Sequence, residues 1–380
     1  MAIPHNVFYK AANLVQNPFR KNPNVEADPR MGLWIGYDEE RQTLEKFLRR
    51  PLADEIGDTN LLLIFGELGT GKSHALLWSQ YYISQKMKGE FCSMSFYIRT
   101  LKKQKGVMTF QGAFQEDIIG RSNIVMDILI YKQFLDERII EYKKDKSIGP
   151  EVSKDSILQI ILKSTELLNL AKEILDCDSE DDVRDIISPK NDYEAFDLFM
   201  RLTNLFVYEF NLPSGNYRYK KAVYLFIDEM DRLGFSSLKE ARDVNDLIVH
   251  LYDGCPECFG MILAATATPA ELNVLFSAPV MERVDRQIQL ELLQPNDAKL
   301  FTKDVLDSAR IDNTKNAGYY PFAEDVIDTV VSGLVSITPR KIMKSMQRLT
   351  EEVRLADLNP ANGVITTKML DDNHIWEEIG

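Results

Sequence analysis

The sequence predicts an α/β fold: a parallel sheet sandwiched by helices, followed by an all-helical segment. Three observations predict it. Continuous apolar runs recur at "NLLLIFG", "KAVYLFI" and "FGMILAATAT", as strands buried on both faces require. Helical patterns stand between these runs, among them "GKSHALLWSQYYISQK" and "VNDLIVHLYDG", so strand and helix alternate. After "QIQLELLQP" three helical patterns follow with no strand between them.

Taken in order, residues 1–30 are rich in Asn and Pro, show little periodicity, and read as a segment wrapping the sheet domain. "IGYDEERQTLEKFLRRPL" (35–52) reads as a helix with Asp38 as N-cap and an apolar stripe of Leu44, Phe47 and Leu48. "FCSMSFYIR" (91–99) reads as a second strand. From about 107 to 215 the chain is mostly helical, as in "NIVMDILIYKQFLDERIIEYKK" and "SILQIILKSTELLNLAKEIL", and reads as an insertion. The acidic "DCDSEDDVRD" in this region reads as solvated. "KAVYLFIDEMDRL" ends in carboxylates, as a central parallel strand does. The expected domains are 31–294 for the sheet domain with its insertion, 295–357 for a small helical domain, and 358–380 for a tail.

With 380 residues, 45% hydrophobic and 27% charged, the chain has the composition of a soluble globular protein with room for two cores. No apolar run is long enough to span a bilayer, and the N-terminus lacks a basic start and apolar core, so a cytoplasmic location and no membrane partner are expected. Four scattered cysteines fit a reducing compartment, and Cys255-x-x-Cys258 reads as a structural turn because it has no second pair. A net charge of −13 argues against coating DNA by bulk electrostatics. Lys102, Lys103 and Lys105 form a small basic cluster that reads as a solvated loop, the alternative being a contact with nucleic acid backbone.

The chemistry lies at the strand ends. Gly66-Glu67-Leu68-Gly69-Thr70-Gly71-Lys72-Ser73 fits G-x-x-x-x-G-K-[ST] and is followed by His74 at the start of a helix. Glycines let backbone N–H groups turn inward around phosphate oxygens, and the helix N-terminus adds partial positive charge. Lys72 is placed to reach the β and γ phosphates and Ser73 to ligate Mg²⁺. Asp228 and Glu229 end the next apolar strand, where one carboxylate serves the Mg²⁺ shell and the other polarises a water. They lie 156 residues beyond Lys72 (228 minus 72), a separation that the helical insertion accounts for. Thr266 and Thr268 end the third run, where a hydroxyl can orient that water or bond a neighbouring backbone group. Arg283 and Arg286 precede "IQLELL", and Arg340 opens a helix of the second domain. A forked permanent charge suits a phosphoryl transition state.

The ordered set "IGYDEE", phosphate loop, "LFIDEMD", "LAATAT", "ERVDRQ" and "ITPRK" resembles the AAA+ ATPases. It is nearest the branch of origin-recognition-type replication initiators and transposition-helper ATPases. "NPF" before "IGYDEERQTLEKFL" resembles the initiators' N-terminal segment, and "TATPAELNVLF" resembles the helpers' sensor strand. The resemblance spans roughly 15–100 and 220–350. It implies a P-loop nucleotide-binding fold with the small helical domain as a lid. Ile35 and Gly36 become base contacts, Thr266 the sensor on the strand and Arg340 the sensor on the lid. Arg283 or Arg286 becomes the finger offered to a neighbouring subunit. The implied activity is ATP hydrolysis with ATP and Mg²⁺, coupled to self-association through a shared site and serving a process on DNA. A nuclease, transposase or replication factor is the protein partner this implies. Origin-binding initiators carry a winged-helix domain after the lid, whereas only residues 356–380 follow here. The alternative is a nucleotide-switched scaffold that recruits a protein without touching DNA.

Overall fold

The computed structural model describes residues 2–19, 29–50, 59–86, 93–104 and 107–379. Five strands form one parallel sheet: β1 (Asn60–Gly66), β2 (Ser93–Ile98), β3 (Ala222–Ile227), β4 (Phe259–Thr266) and β5 (Val284–Leu290). Their order is β2-β3-β4-β1-β5. The apolar runs explain the interior places: every residue of β1 and β3 is buried, and so is β4 up to Thr266. The central place goes to β4, with β3 beside it, because β2 covers the far side of β3. On the edge strand β2 burial alternates, with Met94, Phe96 and Ile98 inside. Between β1 and β2 runs helix α3 (Lys72–Lys86). Upstream of β1, helix α2 spans Asp38–Arg49. Its first backbone bond runs from Arg41 N–H to the Tyr37 carbonyl, so Tyr37 occupies the cap and Asp38 the first turn. There Asp38 pairs with Arg41 at 3.4 Å, and an acidic side chain suits the helix's positive end.

Residues Thr43–Phe65 and Leu76–Ile288 form one compact unit. Its core is continuous from the sheet into the insertion, joining Val223, Leu225 and Ile227 of β3 to the inserted helices. These are α4 (Ile124–Asp145), α5 (Lys154–Ile161), α6 (Thr165–Asp176), α7 (Glu180–Ile186) and α8 (Asp192–Val207). Phe199 on α8 links them to the sheet, edge-on to Phe96 of β2 at 5.6 Å and to Phe259 of β4 at 6.3 Å. The long apolar stretch 156–175 breaks into α5 and α6 where Ser164 accepts from Leu167 N–H at 3.4 Å and caps the second helix. The charged residues of the acidic stretch are exposed, as read, and the stretch is ordered: Ser179 and Asp182 form a capping box that starts α7, and Val183 is fully buried. Helices α9 (Leu238–Gly254) and α10 (Pro269–Leu275) flank β4 in sequence. Two hairpins, Lys102–Gln104 with Val107–Thr109 and Glu209–Leu212 with Gly215–Arg218, complete this unit. Lys105 lies outside the described residues. Cys255 and Cys258 are both buried and form no disulfide; the Cys255 carbonyl accepts from Thr59 and the Cys258 sulfur from Arg218, which makes the turn structural.

Residues Met1–Gln42, Gly66–Ala75 and Gln289–Gly380 form the other unit. Three helices, α11 (Pro295–Asp307), α12 (Glu324–Ser332) and α13 (Pro339–Leu355), bury Phe301, Val326, Ile342, Met346 and Leu349 together. The N-terminal segment contributes helix α1 (His5–Ala11), whose Phe8 and Tyr9 are buried in this helical core. Ile3 N–H bonds the Arg354 carbonyl at 3.1 Å, and the Tyr9 hydroxyl donates to Glu351 at 2.6 Å. The C-terminal residues Ile365, Leu370 and Ile375 are buried in the same core.

Candidate functional site

The phosphate-loop motif lies in the helical unit. Gly66, Gly69 and Gly71 have φ of +152°, +89° and +114°, a region that only glycine enters cheaply. At Gly66 a Cβ would overlap the Leu290 carbonyl oxygen, and at Gly69 it would stand 2.9 Å from Cβ of Arg340. Lys72 is only 7% exposed, and its ammonium donates to the carbonyls of Gly66 at 3.0 Å and Glu67 at 2.8 Å. Thr70 Oγ1 donates to the Glu67 carbonyl at 2.9 Å, while the Leu68 side chain is exposed. Ala75 N–H makes the helix bond to Gly71 at 2.9 Å, so the amides of Lys72, Ser73 and His74 precede the α3 bonding series. The Ser73 hydroxyl makes no hydrogen bond among the described residues.

Arg340 meets this loop through its backbone. Thr338 caps α13 by accepting from Lys341 N–H at 3.3 Å, and Arg340 N–H donates to the Gly69 carbonyl at 3.2 Å. The Arg340 side chain remains exposed. His74 Nε2 lies 2.7 Å from the Leu33 carbonyl. A carbonyl only accepts, so Nε2 carries the proton. That bond ties the start of α3 to the segment bearing Ile35 and Gly36. There Gly36 and Tyr37 turn the chain through φ of +71° and +51°. The Tyr37 hydroxyl donates to the Glu291 carbonyl at 2.6 Å, and burial, with Glu40 adding repulsion, pushes its phenol above the usual range.

The acid pair and Thr266 lie in the sheet unit. Asp228 N–H bonds the Ile98 carbonyl at 2.9 Å, so pairing with β2 continues one residue past β3. The carboxylate is 5% exposed and bonded on both oxygens: Oδ1 accepts from Glu229 N–H at 2.8 Å and Oδ2 from the Tyr97 hydroxyl at 2.9 Å. Burial pushes the Tyr97 phenol up, and the Asp228 charge adds to the shift, so the phenol stays a donor. Glu229 has φ +55°, and its carboxylate pairs with Arg232 at 2.6 Å. Asp231 accepts from Thr266 N–H at 2.9 Å, joining the turn after the acids to the tip of β4. The Thr266 hydroxyl makes no hydrogen bond among the described residues, whereas Thr268 is held in a capping box with Glu271. Tyr97, Asp231 and Arg232 were not singled out in the sequence. The alternation of "SMSFYI" does put Tyr97 on one face with Ser93 and Ser95.

The two arginines before β5 differ. Arg283 forks onto both oxygens of Asp253, at 3.0 and 2.8 Å, and donates to the Pro279 carbonyl. Arg286 is exposed and makes no ion pair among the described residues.

A five-stranded parallel sheet flanked by helices, with a glycine loop between β1 and α3, defines a P-loop α/β fold. Several solved structures align with most of the chain's length at low identity. The Aeropyrum pernix ORC2 protein is 12% identical with a TM-score of 0.43, covering 93% of this chain and 72% of that one. Drosophila ORC bound to DNA is 11% identical with a TM-score of 0.49 and covers 95% of this chain, which spans only 63% of that chain's length. The Aeropyrum pernix ORC1 protein in complex with DNA is 11% identical with a TM-score of 0.48, covering 94% and 68%. No protein-family profile and no curated protein matches the sequence.

Proposed function

We propose that this chain is an AAA+-type ATPase that binds and hydrolyses ATP with Mg²⁺ to drive self-assembly or a conformational switch in a process on DNA. The observation that carries the reading is a buried ammonium, Lys72, enclosed by a loop of three left-handed glycines. A lysine that closes a glycine loop at a helix N-terminus is placed to meet the phosphates of a bound nucleotide. Lys72 then serves the β and γ phosphates, and Ile35 and Gly36 the base. Ser73 and Asp228 offer hard oxygen donors, the chemistry that Mg²⁺ takes. Bound Mg²⁺ neutralises charge on the phosphates. Glu229 polarises the attacking water and the Thr266 hydroxyl orients it. Arg340 couples the loop to α13, because its own N–H bonds Gly69. The finger offered to a neighbour is Arg286, since the guanidinium of Arg283 is already engaged by Asp253.

The test is a nucleotide titration. Lys72→Ala should lose ATP binding, and Glu229→Gln should keep binding while turnover slows and an assembled state accumulates. Unchanged affinity in the first variant would overturn the loop assignment. Net charge −13 favours a scaffold that binds a protein instead of DNA. Salt-dependent DNA binding by the ATP-loaded chain separates the two: none at low salt leaves the scaffold.

A further inference from the structure

We infer that Tyr97 is a positioning residue for the Asp228 carboxylate, holding it in the orientation that receives the divalent cation of the bound nucleotide. The inference rests on the ATPase reading above. Three observations support it, all within the sheet unit.

The first is register. In the parallel β2–β3 pair Tyr97 stands opposite Phe226, and Ile98 opposite Ile227. Side chains alternate along a strand, so Phe226 and Asp228 share a face with Tyr97. Asp228 is therefore the diagonal neighbour of Tyr97 on that face, within reach of a long aromatic side chain. The Asp228 N–H bond to the Ile98 carbonyl fixes this register at the strand tip.

The second is saturation of the orienting bonds. With the Tyr97 hydroxyl on Oδ2 at 2.9 Å and Glu229 N–H on Oδ1 at 2.8 Å, each oxygen is tied once. Rotation about the Cβ–Cγ bond would break both. Each carboxylate oxygen has about two acceptor sites, so one per oxygen is left for a cation or its water shell.

The third is the chemistry of the donor. A lysine or arginine would also orient the carboxylate, but it would cancel its charge and compete with the cation. A neutral phenol orients without neutralising. Outer-shell donors of this type are worth about 10- to 100-fold in metal affinity.

The experiment uses the full chain and a fluorescent ATP analogue, titrated with Mg²⁺ and also measured without metal. Wild type, Tyr97→Phe, Asp228→Asn and Lys72→Ala are compared. Phe keeps the ring and deletes only the hydroxyl. Tyr97→Phe should bind the analogue as wild type does without metal, yet need about 10-fold more Mg²⁺ for the metal-dependent tightening. Asp228→Asn should show the same shift or a larger one. An unchanged Mg²⁺ midpoint in Tyr97→Phe overturns the inference while leaving the ATPase reading intact. Loss of the fold or of metal-free binding in that variant also overturns it, since the hydroxyl would then serve structure. Wild type that binds the analogue no better than Lys72→Ala overturns the ATPase reading, and this inference with it.

Discussion

Gly69→Ala tests the link between the phosphate loop and α13. The new methyl would stand 2.9 Å from Arg340 Cβ and 3.1 Å from Thr338 Oγ1, at φ +89°. Placing an L-residue in left-handed backbone costs about 1–2 kcal/mol. The carbon contact is shorter than the optimum of about 3.5–4.0 Å, so the first turn of α13 must retreat. Retreat loses the Arg340 N–H bond to Gly69, worth about 0.5–1.5 kcal/mol. The expected total is about 1.5–3.5 kcal/mol. Gly71→Ala is the control: its φ is +114°, but nothing lies within 4 Å of the added carbon. It should carry only the backbone cost of about 1–2 kcal/mol. Urea unfolding of the nucleotide-free chain, read at constant m-value, measures both. A third variant, Arg340→Gly, removes the Cβ that the methyl strikes. In the double-mutant cycle it should recover about 1 kcal/mol from Gly69→Ala. Equal destabilisation by the two loop variants and no coupling with Arg340→Gly would refute the contact.

Three further outcomes follow, the first from the proposed function and the others from the geometry. Mixing Arg286→Ala with Lys72→Ala should restore part of the turnover that each lacks alone, because a shared site can draw an intact loop from one chain and an intact finger from the other; a mixture as inactive as its components counts against a trans-acting Arg286. Phe199→Ala should cost about 3–5 kcal/mol in calorimetric or urea unfolding, because the ring joins the insertion to β2 and β4; under 1 kcal/mol would mean the insertion folds on its own. Burial tends to raise the Glu351 carboxyl, but hydrogen bonds from Tyr9, Arg354 and Asn17 outweigh it and hold the group below 4.5. A depressed carboxyl stabilises above its unfolded value and loses that contribution as pH falls through its folded value. Acid unfolding below about pH 4.5 should therefore be shallower in Glu351→Gln than in wild type. Identical acid limbs would refute the assignment.

What was legible in the sequence was local. Strands β1, β3 and β4 are buried on both faces, so they appear as unbroken apolar runs. The loop is legible because its glycines answer a backbone demand within eight residues. Edge strand β5 leaves Asp285, Arg286 and Gln287 exposed and gives no such run. The charged residues of the acidic stretch 176–185 are exposed, as composition suggests, but the two inward residues, Cys177 and Val183, and the capping box that starts α7 leave no periodic pattern there. The contacts of Gly69 with Arg340 and of Tyr97 with Asp228 join positions far apart in the chain, and no periodicity encodes them. The N-terminal segment lacks a pattern because α1 is only seven residues long, and Phe8 and Tyr9 supply most of its burial.

The two acids at the end of β3 are adjacent in sequence and held by opposite means, and the magnitudes suit the different roles proposed for them. Asp228 is buried and bonded by two neutral donors. Hydrogen bonds to a charged group are worth about 1.5–3 kcal/mol each, so its carboxylate keeps one orientation. Glu229 is held by a single ion pair to Arg232, with the two side chains 46% and 53% exposed. Such a pair contributes about 0–1 kcal/mol and is screened by salt. Its backbone, in contrast, is fixed in a left-handed conformation that costs about 1–3 kcal/mol. That conformation is held by the Asp228 bond to Glu229 N–H and by Arg232 N–H on the Glu229 carbonyl. One carboxylate is thus rigid in side chain, the other rigid only in backbone. A ligand to a cation profits from the first arrangement. A base that must turn toward a water profits from the second, because leaving Arg232 costs it less than a single hydrogen bond at Asp228.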